Sequence, residues 1–303
     1  MQAVVFEEFG GPEVLRTEEV TEPHAGPGQA RIRVHAAGVN PIDFKVRRGW
    51  TKGFIDVTFP ATPGMEVAGV VDEVCEGAGF AVGDEVVGWS ATGSYAEYAI
   101  LGNAAPKPAG LSWEQAVGLP VAGETAQRVL DELQVKDGET VLVHGAAGAV
   151  GSIAVQLAKA AGATVIGTAS PANHEFLRSL GAVPLEYGDG LVDRVRAAAP
   201  QGVDAVFDTA GQGVLPDSIE LRGGTERIVT IADFGAAELG VAASMGATKS
   251  PEEIAADLTN QLEAAAAGDL RVRIAQTFPL ADAAKAQELS ESGHARGKVV
   301  VLP

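Results

Sequence analysis

The apolar positions of this 303-residue chain change rhythm near Pro120. Before it, short runs alternate apolar and polar residues between Gly and Pro breaks: AVVFEEF, ARIRVHAAGV, EVAGVVDEV, DEVVGW and SYAEYAI. A period of two predicts strands, and their close spacing predicts a small, irregular β-barrel interrupted by one helix in PIDFKVRRG. From Gly123 onward helical and strand patterns alternate: TAQRVLDEL, TVLVHG, VGSIAVQLAKAAG, TVIGTAS, HEFLRSLG, LVDRVRAAA, DAVFDTAG and RIVTIAD. That alternation predicts an α/β domain with right-handed βαβ crossovers and a doubly wound parallel sheet. In the following PEEIAADLTNQLEAAAAG, Ser250 is placed to cap a long helix, Pro251 to open it and Gly268 to end it. The tail returns to strand, helix and strand (RVRIAQTF, LADAAKAQELSESG, GKVVVLP) and is expected to pack back on the first domain. The expected division is 1–121 with 270–303 against 122–269, with the ligand in a cleft between them.

The stretch VLVHGAAGAVGSIAVQLAKAAGATVIGTAS, residues 141–170, reads as strand, glycine turn, helix and strand. Against the dinucleotide fingerprint G-x-G-x-x-G, Ala146 replaces the first glycine while Gly148 and Gly151 keep the others. A side chain at Gly148 would hold the backbone off a pyrophosphate, and one at Gly151 would push the helix off the sheet. Gly148, Ala149, Val150 and Gly151 are therefore expected against the phosphates, where the helix start offers free N–H groups.

An NAD site has Asp or Glu about 20 residues beyond this turn, on the ribose hydroxyls. Here GTASPANHEF holds no carboxylate before Glu175. Ser170 is placed to donate to a 2′-phosphate, and equally to cap the helix that follows; His174 or Arg178 supplies positive charge. NADPH is the expected cofactor.

The net charge is −18, from 40 acidic and 22 basic residues. Such a surface repels nucleic acid and anionic membranes. No apolar run approaches the ~20 residues of a membrane span. The start, MQAVVFEEFGG, shows no basic region ahead of an apolar one, so the cytoplasm is expected. The single cysteine, Cys75, excludes an internal disulfide and reads as a packed residue of a strand.

Five segments carry a family likeness in order: VHAAGVNPIDFKVRRG (34–49), PGMEVAGVV (63–71), GSYAEYA (93–99), AAGAVG (146–151) and RGKVVVLP (296–303). The chain resembles the zinc-independent, zeta-crystallin-like quinone oxidoreductases of the medium-chain dehydrogenase/reductase superfamily. The resemblance implies a GroES-like barrel joined to a Rossmann domain, NADPH as hydride donor, quinones or conjugated enones as acceptors, and a homodimer. In zinc-dependent relatives a cysteine takes the place of Asn40 and a histidine that of Met65. A catalytic zinc needs three protein ligands, and the five histidines show no paired spacing, so no metal is expected.

Hydride transfer leaves negative charge on an acceptor oxygen, which asks for hydrogen-bond donors. Asn40, in a Gly-Val-Asn-Pro turn after a strand, is the candidate catalytic group at nicotinamide and substrate. Asp43 is expected to pin the local helix. Trp50 either stacks on a flat substrate or fills the barrel rim, and Thr51 reaches the cleft mouth. Relatives carry tyrosines near Lys45 and Thr51; without them no proton donor is evident and solvent is expected to finish the reduction. Thr125, in a G-E-T-A turn, is expected to approach the nicotinamide. Ala210 and Gly211 lie at a strand end where α/β proteins bind ligands, with Asp208 pinning their loop and Ile231 and Phe234 lining the pocket. By resemblance, Tyr187 approaches the 2′-phosphate, Arg296 and Lys298 belong to a segment closing over the cofactor, and relatives carry lysine in place of His174. Two rival readings remain: a biosynthetic enoyl reductase, and a nucleotide-binding protein with a structural or regulatory role.

Overall fold

A computed structural model describes residues 1–246 and 248–303, and the chain divides into two compact units, Met1–Val121 with Ser250–Pro303, and Ala122–Lys249. The first unit runs β1 (Gln2–Val5), β2 (Arg16–Glu19), β3 (Ala30–Val39), α1 (Pro41–Arg47), β4 (Glu66–Val74), β5 (Glu85–Ser90), β6 (Tyr98–Pro106) and α2 (Trp113–Val117). Helix α3 (Pro120–Glu132) leads into the second unit, which holds β7 (Thr140–His144), α4 (Ala149–Ala160), β8 (Thr164–Thr168), α5 (His174–Ser179), β9 (Val183–Leu185) and α6 (Leu191–Ala198). It continues with β10 (Ala205–Asp208), α7 (Leu215–Arg222), β11 (Ile228–Thr230) and β12 (Ala242–Ala243). The chain then returns to the first unit through α8 (Pro251–Ala267), β13 (Ile274–Pro279), α9 (Ala283–Glu291) and β14 (Lys298–Leu302).

In the first unit the strand order is β13-β14-β3-β4-β5-β6, and β3 pairs with β6 as well as β4, which closes a barrel. Bulges in the β3–β4 and β5–β6 ladders bend the strands enough for closure. Inside lie Ile32, Val34, Val67, Val71, Val86 and Ala99, supplied by alternate positions as the period of two requires. A second core gathers Val39, Tyr95, Phe278, Ala286 and Val301 where α9 covers the β3–β14 side.

Two expectations are corrected. Helix α8, assigned to the cofactor domain by its place after the last βα unit, belongs to the barrel unit. It packs along β6, and the Asn103 side chain donates to the Pro251 carbonyl at 2.8 Å. The G-E-T-A segment is not a turn either. Pro120 opens α3 five residues before Thr125, and the Glu124–Arg128 pair at 2.8 Å supports the helix across its first turns. The α8 ends follow the sequence pattern: Ser250 accepts from the Glu253 N–H, Glu253 reciprocates, and Gly268 adopts φ +85° beyond the last turn.

The second unit is a six-stranded, all-parallel sheet in the order β12-β11-β10-β7-β8-β9. Its core includes Leu142, Ile166, Val195, Val206, Leu215 and Ile228. The order reverses between β7 and β10, so their carboxyl ends form the switch point at which such sheets bind ligands. Among the described residues no helix is long and apolar enough to cross a membrane.

Candidate active site

In the barrel unit the site is built at the end of β3. Pro41 fixes the first turn of α1, and the Asn40 backbone N–H donates to Asp43 Oδ2 at 2.9 Å, so Asp43 pins the helix start. The Asn40 side chain is thereby left for other partners. Its Nδ2 donates to Glu66 Oε1 at 2.8 Å, and its Oδ1 accepts from Lys298 Nζ at 2.8 Å. Lys298 Nζ also contacts Glu66 Oε1, and Glu66 Oε2 accepts the Val121 N–H at 2.8 Å, in the first turn of α3. Behind Asn40, Tyr95 OH donates to Asp43 Oδ2 at 2.9 Å, while Asp43 Oδ1 has no partner among the described residues. All five side chains are buried, Asn40 being the most accessible at 5%.

Burial sets the electrostatics of this cluster. It raises the Asp43 carboxyl to about 6, against the lowering pull of its hydrogen bonds and of Lys298. Burial, with Asp43 adding to it, raises the Tyr95 phenol well above its usual value. It also lowers the Lys298 ammonium to about 7, which Asp43 opposes. The contact with Glu66 favours the charged ammonium in the same sense as Asp43.

The barrel segments that carry the family likeness therefore meet in one polar cluster. Asn40 and Asp43 come from the first, Glu66 from PGMEVAG, Tyr95 from GSYAEYA and Lys298 from RGKVVVLP. Sequence reasoning singled out neither Glu66 nor Tyr95. The signal for Glu66 was present: a carboxylate opening the apolar strand EVAGVV must find partners once buried. Lys298 is the first residue of β14, 1% exposed, and it turns its ammonium inward to Asn40 and Glu66. Arg296, two residues earlier, is exposed. Trp50 is 58% exposed and rests edge-on against Phe44 at 6.1 Å; next to it, Thr51 buries a hydroxyl without a partner among the described residues.

In the second unit the glycine turn joins β7 to α4. A Cβ at Gly151 would lie 2.8 Å from Ala146 Cα and 2.9 Å from Gly145 C, so this glycine lets the helix close on the turn backbone rather than on the sheet. A Cβ at Gly148 would meet one atom within 4 Å, the Gly145 oxygen at 3.3 Å, so the space over Gly148 is open for a ligand. No side chain caps α4, which leaves the first-turn N–H groups of Ala149, Val150 and Gly151 for an anion. Ala146, in place of the fingerprint's first glycine, is accommodated by a glycine elsewhere. A Cβ at Gly167 on β8 would lie 2.8 Å from the buried Ala146 Cβ.

At the end of β8 the residues are neutral. Ser170 does not cap the short 3-10 turn after it; its hydroxyl accepts from Asn173 Nδ2 at 3.1 Å. His174 places Nε2 3.2 Å from the Ala169 carbonyl, Arg178 is exposed, and Tyr187 is 54% exposed. A neutral hydroxyl with no carboxylate before Glu175 fits a ribose phosphate, and a dinucleotide fits the open turn. At the end of β10, Asp208 Oδ1 accepts the Ala210 and Gly211 N–H groups at 2.9 and 3.0 Å, and its Oδ2 accepts Thr230 Oγ1 at 2.7 Å. Asp208 thus ties together the loops after β10 and β11, where Ile231 is half-buried and Phe234 is 70% exposed. Thr125 is buried in α3 beside Glu124.

His144 closes β7 from inside. Ser218 donates to the Val214 carbonyl at 2.7 Å, so it accepts from His144 Nε2–H at 3.1 Å, and Nδ1 accepts from Thr168 at 3.2 Å. Burial lowers this imidazole to about 4. Among the described residues no group of three His, Cys, Asp or Glu is placed to hold a metal ion.

Known proteins share this architecture. A model of the alcohol dehydrogenase GroES-like domain matches residues 26–109, and one of a zinc-binding dehydrogenase domain matches 180–301. The quinone oxidoreductase of Sus scrofa is 31% identical over 326 aligned positions, covering 100% of this chain and 98% of that protein. The chloroplastic NADPH-dependent alkenal/one oxidoreductase of Arabidopsis thaliana is 34% identical, covering 100% of this chain and 80% of that protein. The crystal structure of Escherichia coli quinone oxidoreductase complexed with NADPH superposes with a TM-score of 0.89 at 28% identity, over 100% of both chains.

Proposed function

This chain belongs to the zinc-independent, zeta-crystallin-like quinone oxidoreductase family of the medium-chain dehydrogenase/reductase superfamily, and from that premise we propose that it is an NADPH-dependent reductase of quinones or α,β-unsaturated carbonyl compounds. The observation that carries the reading is the buried Asn40 amide, held between Glu66 and Lys298 where zinc-dependent relatives carry a cysteine. A site of this kind offers an amide donor rather than a Lewis acid. That suits an acceptor whose carbonyl is already activated by conjugation.

The nicotinamide nucleotide, when bound, supplies the hydride. The chain's own residues hold it and receive the consequences. First-turn N–H groups of α4 take the phosphates, with Gly148 giving the backbone close approach. Ser170, with His174 and Arg178, favours a 2′-phosphate, because no carboxylate at the end of β8 repels it. Asn40 has one Nδ2 hydrogen beyond that given to Glu66, and it serves as a donor to the oxygen on which charge develops. Tyr95 and Asp43 keep their proton within the cluster, so water completes the reduction.

The protein acts as a homodimer. Strand β12 lies at the sheet edge, and Phe234, Leu239 and Met245 nearby are 70%, 42% and 71% exposed, an apolar margin that a second copy would cover. Anaerobic oxidation of NADPH by a simple p-quinone and by a small 2-enone, with NADH in parallel, tests the proposal. Turnover with NADPH supports it, and the better acceptor decides between the quinone and enone readings. Tight NADPH binding with neither acceptor reduced would overturn it in favour of a non-catalytic role.

A further inference from the structure

An asparagine amide is nearly symmetric in shape, so packing alone does not decide which way its oxygen and nitrogen point. At Asn40 the partners decide. Lys298, kept as an ammonium by its contact with Glu66, can only donate, and Glu66, as a carboxylate, can only accept. Turning the amide over would set N–H against ammonium and oxygen against carboxylate, losing two charge-assisted hydrogen bonds at once. Both charged partners are essentially inaccessible, at 0% and 1%, so neither salt nor water loosens the arrangement.

The clamp is itself anchored. Glu66 is held at its second oxygen by the Val121 N–H, at the positive end of α3. The Asn40 backbone is held by Asp43, and Asp43 by Tyr95. A glycine clears the space: a Cβ at Gly38 would lie within 2.7 Å of Glu66 Cγ. Stability alone does not explain such a group, since a buried ion pair contributes about as much as well-packed apolar residues of the same volume. What the ion pair adds is a fixed donor and acceptor at position 40.

We infer that Lys298 and Glu66 are positioning residues that lock the orientation of the Asn40 amide, presenting its remaining N–H in one direction. This rests on the reading above that Asn40 faces the reacting centre.

The test combines the holoenzyme with the apoprotein. In the holoenzyme, Lys298→Met is expected to lower kcat for quinone or enone reduction at least tenfold while the Kd for NADPH stays within threefold; Lys298→Arg restores most of kcat. In 15N-asparagine-labelled apoprotein, the Asn40 side-chain signals are identified by their loss in Asn40→Asp. They are expected to shift and broaden in Lys298→Met and to stay sharp in Lys298→Arg. Unchanged Asn40 signals in Lys298→Met overturn the clamp. So does a tenfold weaker Kd for NADPH with kcat unchanged, which would make Lys298 a cofactor ligand. If Lys298→Met does not fold, the double variant Glu66→Gln with Lys298→Met removes both charges together, and its Asn40 signals are read the same way. If the wild-type protein reduces neither acceptor, the functional reading falls, while the amide spectra still decide the clamp.

Discussion

Gly38 lies directly opposite Glu66 across the β3–β4 ladder, and the Glu66 carboxylate fills the space that any side chain at position 38 would need. The glycine of the Ala-Gly-Val-Asn segment is therefore a packing requirement and not a backbone one. Gly38→Ala is expected to cost about 1–3 kcal/mol of stability through overpacking. It should also lower kcat, by displacing the carboxylate that holds Asn40. Denaturant unfolding and steady-state kinetics check this; an unperturbed variant would mean that Glu66 has room to move.

The two turn glycines separate packing from binding. Gly151→Ala drives a methyl into the Gly145–Ala146 backbone and should destabilise the protein measurably. Gly148→Ala meets only the Gly145 oxygen, so melting should change little while the Kd for NADPH rises at least tenfold. Calorimetry beside a binding titration distinguishes them. Equal melting losses in both variants would contradict the open space over Gly148.

Ser170→Asp places a carboxylate at the end of β8, where NAD-binding relatives of this fold carry one. Repulsion of a 2′-phosphate should shift the NADPH-to-NADH ratio of Kd values at least tenfold towards NADH. A ratio unmoved by the substitution would remove Ser170 from the phosphate site.

His144 gives stability a dependence on acid. Burial depresses its folded value to about 4, below the ordinary value of 6.5, so its contribution is complete above pH 6.5 and is lost as pH falls through about 4. The loss has an upper bound of about 3 kcal/mol. Asp43 works the other way. Its raised folded value, about 6, gives a contribution present below pH 4 that is lost as pH rises through about 6. Melting temperatures of wild type and His144→Gln between pH 4 and 7 should converge towards the acid end. Parallel curves would place the acid sensitivity elsewhere.

Strands β3 and β4 were legible to the residue, because Ala30–Val39 and Glu66–Val74 are mostly apolar runs bounded by polar and turn-forming residues. The start of α3 was not, since Gly123 reads locally as a breaker while Pro120 and the Glu124–Arg128 pair act across a longer span. The assignment of α8 depends on which surface its partly apolar face covers, and an alanine-rich helix carries little information about its partner. At the site, Asn40 and the glycine turn could be read because their chemistry is local. Glu66, Tyr95 and the inward turn of Lys298 could not, because each acquires its meaning only from partners up to 258 positions away.

The bond between Lys298 and Asn40 also joins two stretches that the chain order keeps apart. Every other member of the cluster, from Asn40 to Val121, precedes the second unit in sequence, whereas the cation that neutralises Glu66 follows it. The amide is therefore set by both segments of a divided unit, one bringing the carboxylate and the other the ammonium, and neither segment alone supplies the pair that fixes it.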